Sequence, residues 1–296
     1  MRTCIGTVVV SLVGSAFVVG ANGCAGGADG SEDIETRTGA VSISPAATAS
    51  GIQYGVMWTW LNNGRNAVPL IQGSNNACFL NAVWGKFRMP TNAPDEVTVF
   101  EDWEHQWRIG GYASGSGTPS GDAFCIRGVT PTAEVFAESG QSVSMGVNPA
   151  THTCFLTMIA GGFSTAASYV RLRNTGSDLR LEVSSGGTYK RALAQCVAKP
   201  PGPELTVSAP NQEVQLRAVT NVGGIPLVGD ATSTSTDQPF FCALTKVEGF
   251  LNGPDSRWVG AYIKPLSNGA FAWKLGRGPA STYFNNELSA SARCVR

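Results

Sequence analysis

Histidine, net charge and helical periodicity are what this 296-residue sequence has least of. It has 2 histidines, His105 and His152, and neither lies at a metal-ligand spacing from the other or from a cysteine, so we expect no metal. Lys plus Arg and Asp plus Glu number 21 each, which leaves no field that would attract nucleic acid or anionic lipid. With 36 glycines and no long helical period, the composition predicts an all-β protein with many turns.

Catalytic sequence motifs are also missing. We find no G-x-S-x-G elbow, no Ser-x-x-Lys, no H-E-x-x-H, no P-loop and no CxxC pair. Without a nucleophile elbow, a phosphate-binding loop or a metal motif, the sequence predicts a protein that is not an enzyme and that holds no cofactor.

What the sequence does contain is a threefold repeat. Similar segments begin at Cys78, Cys154 and Cys242. In each, Leu follows two residues after the cysteine, Asn or Thr three after, Val or Ile five after and Gly seven after. A phenylalanine closes each segment, namely Phe87, Phe163 and Phe250. A period of this size predicts several small units rather than one or two large domains.

The cysteines follow the same period. Of the 8 cysteines, Cys4 and Cys24 lie at the start of the chain, and the other six fall two to a repeat. Six cysteines allow fifteen pairings, and the repeat favours the one in which each unit closes its own loop. The predicted disulfides are Cys78–Cys125, Cys154–Cys196 and Cys242–Cys294. Units of about 80 residues have small cores, so such covalent closure would contribute substantially to their stability.

The fold prediction is therefore all-β, with three tandem small disulfide-closed β modules of sandwich or barrel type after a signal peptide and a flexible tether. Pro200-Pro201-Gly202-Pro203 can join neither a helix nor a central strand, and it marks the clearest boundary. An alignment of the repeats places Trp107, Leu181 and Trp273 at one core position. The predicted segments are residues 1–23 (signal peptide), 24–50 (disordered tether), 51–127, 128–199 and 200–296 (β modules).

The first residues predict export. Met1-Arg2 is followed by an apolar run from Ile5 to about Val19 and then by Ala21-Asn22-Gly23-Cys24. Because it ends at a cysteine, this segment resembles a bacterial lipoprotein signal. The resemblance implies a lipid on Cys24 as the membrane attachment, in the outer membrane or at the cell surface. The alternative is ordinary cleavage near Gly23 and a freely secreted product.

One cluster of polar and aromatic residues stands out between two predicted strands of the first module. Carboxylates beside an imidazole, Glu101 with His105, could do acid–base work, and Glu101 with Glu104 could be the paired acids of a glycosidase. The corresponding stretches of the other modules contain turn residues. The simplest interpretation is thus a charged hairpin turn, with a ligand contact that includes Trp103 as the alternative.

Two further indoles, Trp58 and Trp60, lie two residues apart and so point the same way from one strand. They predict either a platform for sugar rings or for a partner's apolar patch, or a core that uses tryptophan. Taken together, the sequence predicts a non-catalytic cell-surface binding or adhesion protein whose partner is a glycan or another envelope protein. The alternatives are a spacer protein without a ligand and, less favoured, a secreted polysaccharide hydrolase.

Overall fold

The fold consists of β-strands throughout the part of the chain that the structure describes. The computed structural model describes residues 53–60, 67–89, 93–114, 118–199, 214–216, 225–228, 241–251, 258–265, 271–277 and 288–295. Within these ranges every regular element is a strand, which confirms the all-β class. No helix in these ranges has the length and apolar character needed to cross a membrane. The predicted signal peptide, Cys24 and the tether lie outside the described residues.

Each sequence repeat contains six strands. Repeat 1 contains β1 (Gln53–Trp60), β2 (Val68–Gln72), β3 (Asn76–Trp84), β4 (Glu96–Glu101), β5 (Gln106–Tyr112) and β6 (Ser120–Arg127). Repeat 2 contains β7 (Val135–Glu138), β8 (Ser142–Ser144), β9 (His152–Gly161), β10 (Tyr169–Asn174), β11 (Leu179–Val183) and β12 (Lys190–Ala198). Repeat 3 contains β13 (Val214–Leu216), β14 (Ile225–Val228), β15 (Phe241–Gly249), β16 (Trp258–Pro265), β17 (Phe271–Arg277) and β18 (Leu288–Val295).

Three six-stranded sheets share one ordering rule. Their strand orders are β1-β6-β3-β16-β17-β14, β2-β5-β4-β9-β12-β7 and β13-β18-β15-β10-β11-β8. Each sheet thus joins the first, sixth and third strands of one repeat to the fourth, fifth and second strands of another. Repeat 1 is joined in this way to repeat 3, repeat 3 to repeat 2, and repeat 2 to repeat 1, so the connections form a closed cycle.

Each repeat also packs on itself. The half-sheet β1-β6-β3 lies against β2-β5-β4 of the same repeat, and repeats 2 and 3 show the corresponding contacts. Two β-layers therefore enclose a core in each repeat, as in a sandwich. The expectation of a separate sandwich or barrel for each repeat needs correction, because every sheet continues across a boundary between repeats. The cause is a non-local one: the fourth strand of each repeat pairs with the third strand of another.

The three junctions between repeats, which we call seams, use the same residue position. The Val or Ile five residues after each leading cysteine pairs across a seam with a valine on the fourth strand of another repeat. The pairs are Val83 with Val259, Ile159 with Val97, and Val247 with Val170. All six side chains have no exposed surface. Burial of a β-branched pair at each seam is a main source of its stability.

All three predicted disulfides are confirmed. Each joins directly opposed residues of antiparallel neighbours, β3 with β6, β9 with β12, and β15 with β18. The Cα–Cα distances are 4.0, 3.9 and 4.1 Å across sequence separations of 47, 42 and 52 residues. In the chain-entropy model, loops of this size give up to about 4 kcal/mol each.

The Asn or Thr three residues after the cysteine has a structural reason. Asn81, Thr157 and Thr245 each fall where the register of their strand shifts, so each is the extra residue of a β-bulge. All three are buried. Asn81 Nδ2 donates to the Ala261 carbonyl on the neighbouring strand at 2.9 Å, across the seam between repeats 1 and 3. In repeat 1, this amide donor compensates in part for the interrupted ladder, whereas the buried Thr157 hydroxyl of repeat 2 has no partner among the described residues.

The glycine seven residues after the cysteine turns the chain towards the centre. Gly85, Gly161 and Gly249 have φ of 92°, 99° and 104°, a region that side chains rarely adopt. Two residues later the chains of different repeats bind one another: Phe87 N donates to the Leu251 carbonyl at 2.8 Å, and Leu251 N to the Phe163 carbonyl at 3.0 Å. These hydrogen bonds link the repeats where β3, β9 and β15 contact one another.

The alignment of the repeats changes at two positions. Leu251 rather than Phe250 is the counterpart of Phe87 and Phe163, since it makes the central hydrogen bonds and is fully buried. The rings of Phe87 and Phe163 pack edge-on with centroids 6.1 Å apart. In the hairpins, Val99 pairs with Ile109 and Leu172 with Leu181 at equivalent distances from their seams. The counterpart of Trp107 is therefore Leu179, not Leu181, and the turn of repeat 2 has one residue fewer than that of repeat 1.

Candidate functional site

The candidate site is the turn between β4 and β5, which we call the 101–106 turn. Its base is fixed by the core: Val99, Trp107 and Ile109 are buried, and Glu101 pairs with Trp107 as the last rung of the ladder. The burial of Trp107 confirms that this indole has a core role. The strands thus present the intervening residues at one end of a firmly packed hairpin.

Asp102 holds the turn together. Its Oδ1 accepts hydrogen bonds from the backbone N–H groups of Glu104 at 2.9 Å and Gln106 at 3.0 Å. Its Oδ2 accepts from Arg108 Nε at 2.6 Å. Asp is a common turn residue because its carboxylate can accept from backbone N–H groups two residues on. The hydrogen bond from Arg108 lowers the pKa of Asp102 below its usual value; partial burial opposes this change, and the two backbone donors reinforce it.

Backbone hydrogen bonds define the turn type. The Asp102 N–H donates to the Gln106 carbonyl, and the His105 N–H donates to the Asp102 carbonyl, both at 3.0 Å. His105 has φ of 58° and is the one non-glycine residue of the described chain with positive φ. A tight turn followed by a residue in the left-handed region is a common hairpin connection. The sequence prediction of a charged hairpin turn is confirmed.

The side chains of the turn are open to solvent. Trp103 is 87% exposed, the highest value among the large apolar residues described. Glu104 is exposed, and so is His105, whose Nδ1 lies 2.8 Å from Glu101 Oε1. Period-two alternation continued through residues 101–107 would place Trp103 and Trp107 on one face. The turn separates them, with Trp103 outside and Trp107 in the core.

The corresponding turn of repeat 2 is held by similar hydrogen bonds, but it has no exposed indole and no Glu–His pair. Asn174 Oδ1 accepts from the Gly176 N–H at 2.8 Å, and the Thr175 N–H donates to the Asp178 carbonyl at 2.9 Å. No aromatic residue occurs between Asn174 and Leu179. Trp103, Glu104 and the Glu101–His105 pair are therefore features of one repeat rather than requirements of the fold.

No protein-family model matches the chain, and neither a curated protein nor a solved structure is significantly similar to it. We therefore infer function from the site itself.

The other predicted binding residues, Trp58 and Trp60, belong to β1. This strand pairs with β6, with Trp58 opposite Ala123 and Trp60 opposite Gly121, and it is the first strand in its sheet order. Trp58 and Trp60 lie two residues apart in an uninterrupted stretch of this ladder. Their side chains lie outside what the structure describes, so the choice between platform and core stays a prediction.

The predicted acidic and histidine residues can be compared with what metal binding or catalysis would need. No group of three His, Cys, Asp or Glu side chains lies close enough there to hold a metal ion. Glu101 and His105 are in contact, but they lie on an exposed turn. The sequence reasoning missed the part that Asp102 and Arg108 play in shaping the turn. The signal for it is an Asp that starts a predicted hairpin turn with an Arg on the returning strand.

Proposed function

We propose that this protein is a non-catalytic binding or adhesion protein of the cell surface, built from three copies of one disulfide-closed β unit. Its contact surface is the 101–106 turn of repeat 1, with Trp103, Glu101 and His105, together with the indoles of Trp58 and Trp60. The ligand is a glycan or another envelope protein. Repeats 2 and 3 act as the scaffold that holds this surface.

The observation that carries the proposal is the exposure of Trp103 on a turn with fixed hydrogen bonds. Exposing an indole to water has a cost that the fold does not require, because repeat 2 forms its turn without one. Tryptophan is enriched among the residues that dominate binding energy at interfaces. Because hydrogen bonds fix the backbone of this turn, the backbone loses little conformational freedom when the indole binds.

The proposed location follows from the cysteines. Three disulfides suggest an oxidising, extracellular environment. The lipoprotein-like signal adds attachment through a lipid on Cys24, and ordinary cleavage with release into the medium is the alternative. Neither form needs a nucleic-acid partner, in agreement with the balanced charge.

Two other functions compete with this one. A spacer protein of the envelope would have no ligand, and the exposed indole would then have no use. A polysaccharide hydrolase would use Glu101 with Glu104 or His105, but acid–base catalysis works best where a cleft holds the substrate and limits water. The openness of the turn therefore favours binding over hydrolysis.

The test compares binding of the mature chain with that of a Trp103→Ala variant on glycan arrays and on whole cells. We expect at least a tenfold loss of affinity, equal to about 1.4 kcal/mol. Thr175→Ala in the corresponding turn of repeat 2 is the matched control and should bind as the parent does. No binding by any of the three proteins would favour the spacer, equal binding by all three would reject the 101–106 turn as the contact surface, and release of soluble sugar from any bound polysaccharide would favour the hydrolase.

A further inference from the structure

The 101–106 turn has a charge that restricts what can bind there. Glu101, Asp102 and Glu104 contribute three carboxylates, and among the described residues Arg108 contributes the one guanidinium that contacts them. The turn therefore stays negative even when His105 is protonated. An anionic partner, such as an acidic polysaccharide or a phospholipid headgroup, would be repelled.

The carboxylates differ in how far they are engaged. Asp102 is surrounded by its three donors and serves the turn. Glu101 shares its Oε1 with His105, and its side chain is 29% exposed. Glu104 is exposed and forms no ion pair with any residue that the structure describes. Glu104, next to Trp103 in sequence, is thus the carboxylate most accessible to a partner.

An exposed indole beside accessible carboxylates fits a cation. The face of tryptophan attracts ammonium and guanidinium groups more strongly than the other aromatic rings do. The side chain of lysine or arginine adds an apolar stem that packs on the ring while the charged head reaches a carboxylate. The hydrogen bonds of Asp102 fix the backbone from which the indole and the carboxylates extend before a partner binds.

Resting on the proposed function, we propose that the 101–106 turn binds a basic segment of a partner protein. A lysine or arginine side chain lies over the Trp103 indole, and its charge is neutralised by Glu104 and Glu101. A basic segment is favoured over an amino sugar because it offers several long cationic side chains in a row, whereas the amine of a sugar is attached directly to the ring. Association should be faster at low ionic strength because the charges are exposed.

The experiment titrates the full mature chain with an oligolysine peptide, a matched oligoglutamate peptide and glucosamine oligomers, by calorimetry at two salt concentrations. We expect binding to oligolysine that weakens with salt and no binding to oligoglutamate. Trp103→Ala should weaken binding at least tenfold, and Glu104→Gln about threefold to tenfold. Glu134→Gln, which removes the same charge from an exposed position elsewhere, is the control and should bind like the parent.

Each other outcome overturns the inference. Equal losses in Glu104→Gln and Glu134→Gln would show unspecific attraction of a cation, and dependence on Trp103 with glucosamine oligomers alone would show a sugar site. Loss of cell binding in Trp103→Ala without any binding of oligolysine would reject the basic partner and leave the proposed function standing. If Trp103→Ala altered neither cell binding nor peptide binding, both would be rejected.

Discussion

Individual residues explain why certain positions are the same in all three repeats. The glycine seven positions after each leading cysteine has positive φ and sits against another chain segment. A Cβ on Gly85 would lie 1.8 Å from the Thr118 carbonyl oxygen, and one on Gly161 would lie 2.1 Å from that of Tyr189. The N–H of Gly161 also donates to the Asp95 carbonyl across a seam. Conformation, close packing and a seam hydrogen bond therefore all depend on this residue.

Gly161→Ala should lower the free energy of unfolding by about 3 kcal/mol or more. The left-handed conformation alone costs a side chain about 1–2 kcal/mol, and the clash with Tyr189 adds to it. Gly176→Ala is the matched control, because Gly176 has φ of 92° with no atom within 4 Å of the added Cβ. Urea unfolding followed by circular dichroism measures both. Equal effects would mean that conformation, and not packing, makes the glycine necessary.

Lys190 is the most unusual buried residue. It has no exposed surface, and its Nζ donates to the carbonyls of Gly186 at 2.6 Å and Thr188 at 2.7 Å. Repeat 3 has the apolar Leu288 at the same place in its ladder, opposite Gly249 as Lys190 is opposite Gly161. Burial of the ammonium lowers the pKa of Lys190. The two carbonyls reduce the cost of burying the charge but do not remove it.

Lys190→Leu should leave the free energy of unfolding at pH 7 unchanged or raise it by about 1 kcal/mol, as is common when buried charge is replaced by apolar volume. In the parent, the unfolded chain holds the proton more tightly than the folded one. Between the lowered pKa and the ordinary value of 10.5, stability therefore rises with pH. The variant should lose this rise. Urea midpoints from pH 7 to 10.5 measure it, and a loss of more than about 2 kcal/mol at pH 7 would show that the carbonyl contacts are essential.

At the scale of one element, the base of the β4–β5 hairpin is packed in the core, and the hydrogen bonds of its turn depend on pH. Asp102 accepts its turn hydrogen bonds best as a carboxylate, and its folded pKa is lowered, chiefly by Arg108. A lowered pKa means that the stabilisation is present above the unfolded value near 3.8 and is lost as the pH falls through the folded value. The turn should therefore keep its shape over the whole physiological range.

An acid titration tests this. The amide proton shifts of Glu104 and Gln106 should move together as Asp102 is protonated, with a midpoint below pH 3.8. Asp102→Asn should abolish the movement, while its amide oxygen can still accept from the backbone. The Gly176 amide is an internal control, because its acceptor Asn174 does not titrate. A midpoint above pH 4 would contradict the assigned pairing with Arg108.

The hairpin also shows what the sequence could predict and what it could not. Strand pairs joined by a short turn are local, so the charged turn followed from its turn residues, whereas the core role of Trp107 followed from the alignment of the repeats. The disulfides followed from repetition, which reduced fifteen pairings to one. The alignment failed by one residue at Leu251, where repeat 3 keeps the spacing from its leading cysteine but has leucine in place of phenylalanine. It failed by two at Leu179, in a hairpin whose turn has one residue fewer than that of repeat 1.

At the scale of the whole molecule, the pairing of strands between repeats could not be predicted from any local pattern. The seams pair strands that are far apart in sequence, such as β3 with β16, and neither strand differs visibly from one that would pair within its own repeat. Because the three seams close a cycle, no repeat keeps an intact set of sheets when another unfolds. A pair of phenylalanines from two repeats, Phe79 and Phe155, with ring centroids 4.9 Å apart, adds a shared core to the shared sheets. Folding should therefore be cooperative across all three repeats.

Gly260→Val tests this cooperativity from one seam. A Cβ on Gly260 would lie 2.3 Å from the Ala82 Cβ and 2.7 Å from the Asn81 carbonyl oxygen, so valine must push β16 away from β3. Overpacking of this kind costs about 1–3 kcal/mol. We expect one unfolding transition at a lower urea concentration, whether followed by circular dichroism or by the methyl signals of Leu181 in repeat 2. Gly186→Val is the control, because the nearest atom to its Cβ is 3.9 Å away. If the Leu181 signals kept the parent's midpoint while repeats 1 and 3 unfolded earlier, the repeats would be independent units and the cyclic closure would not govern stability.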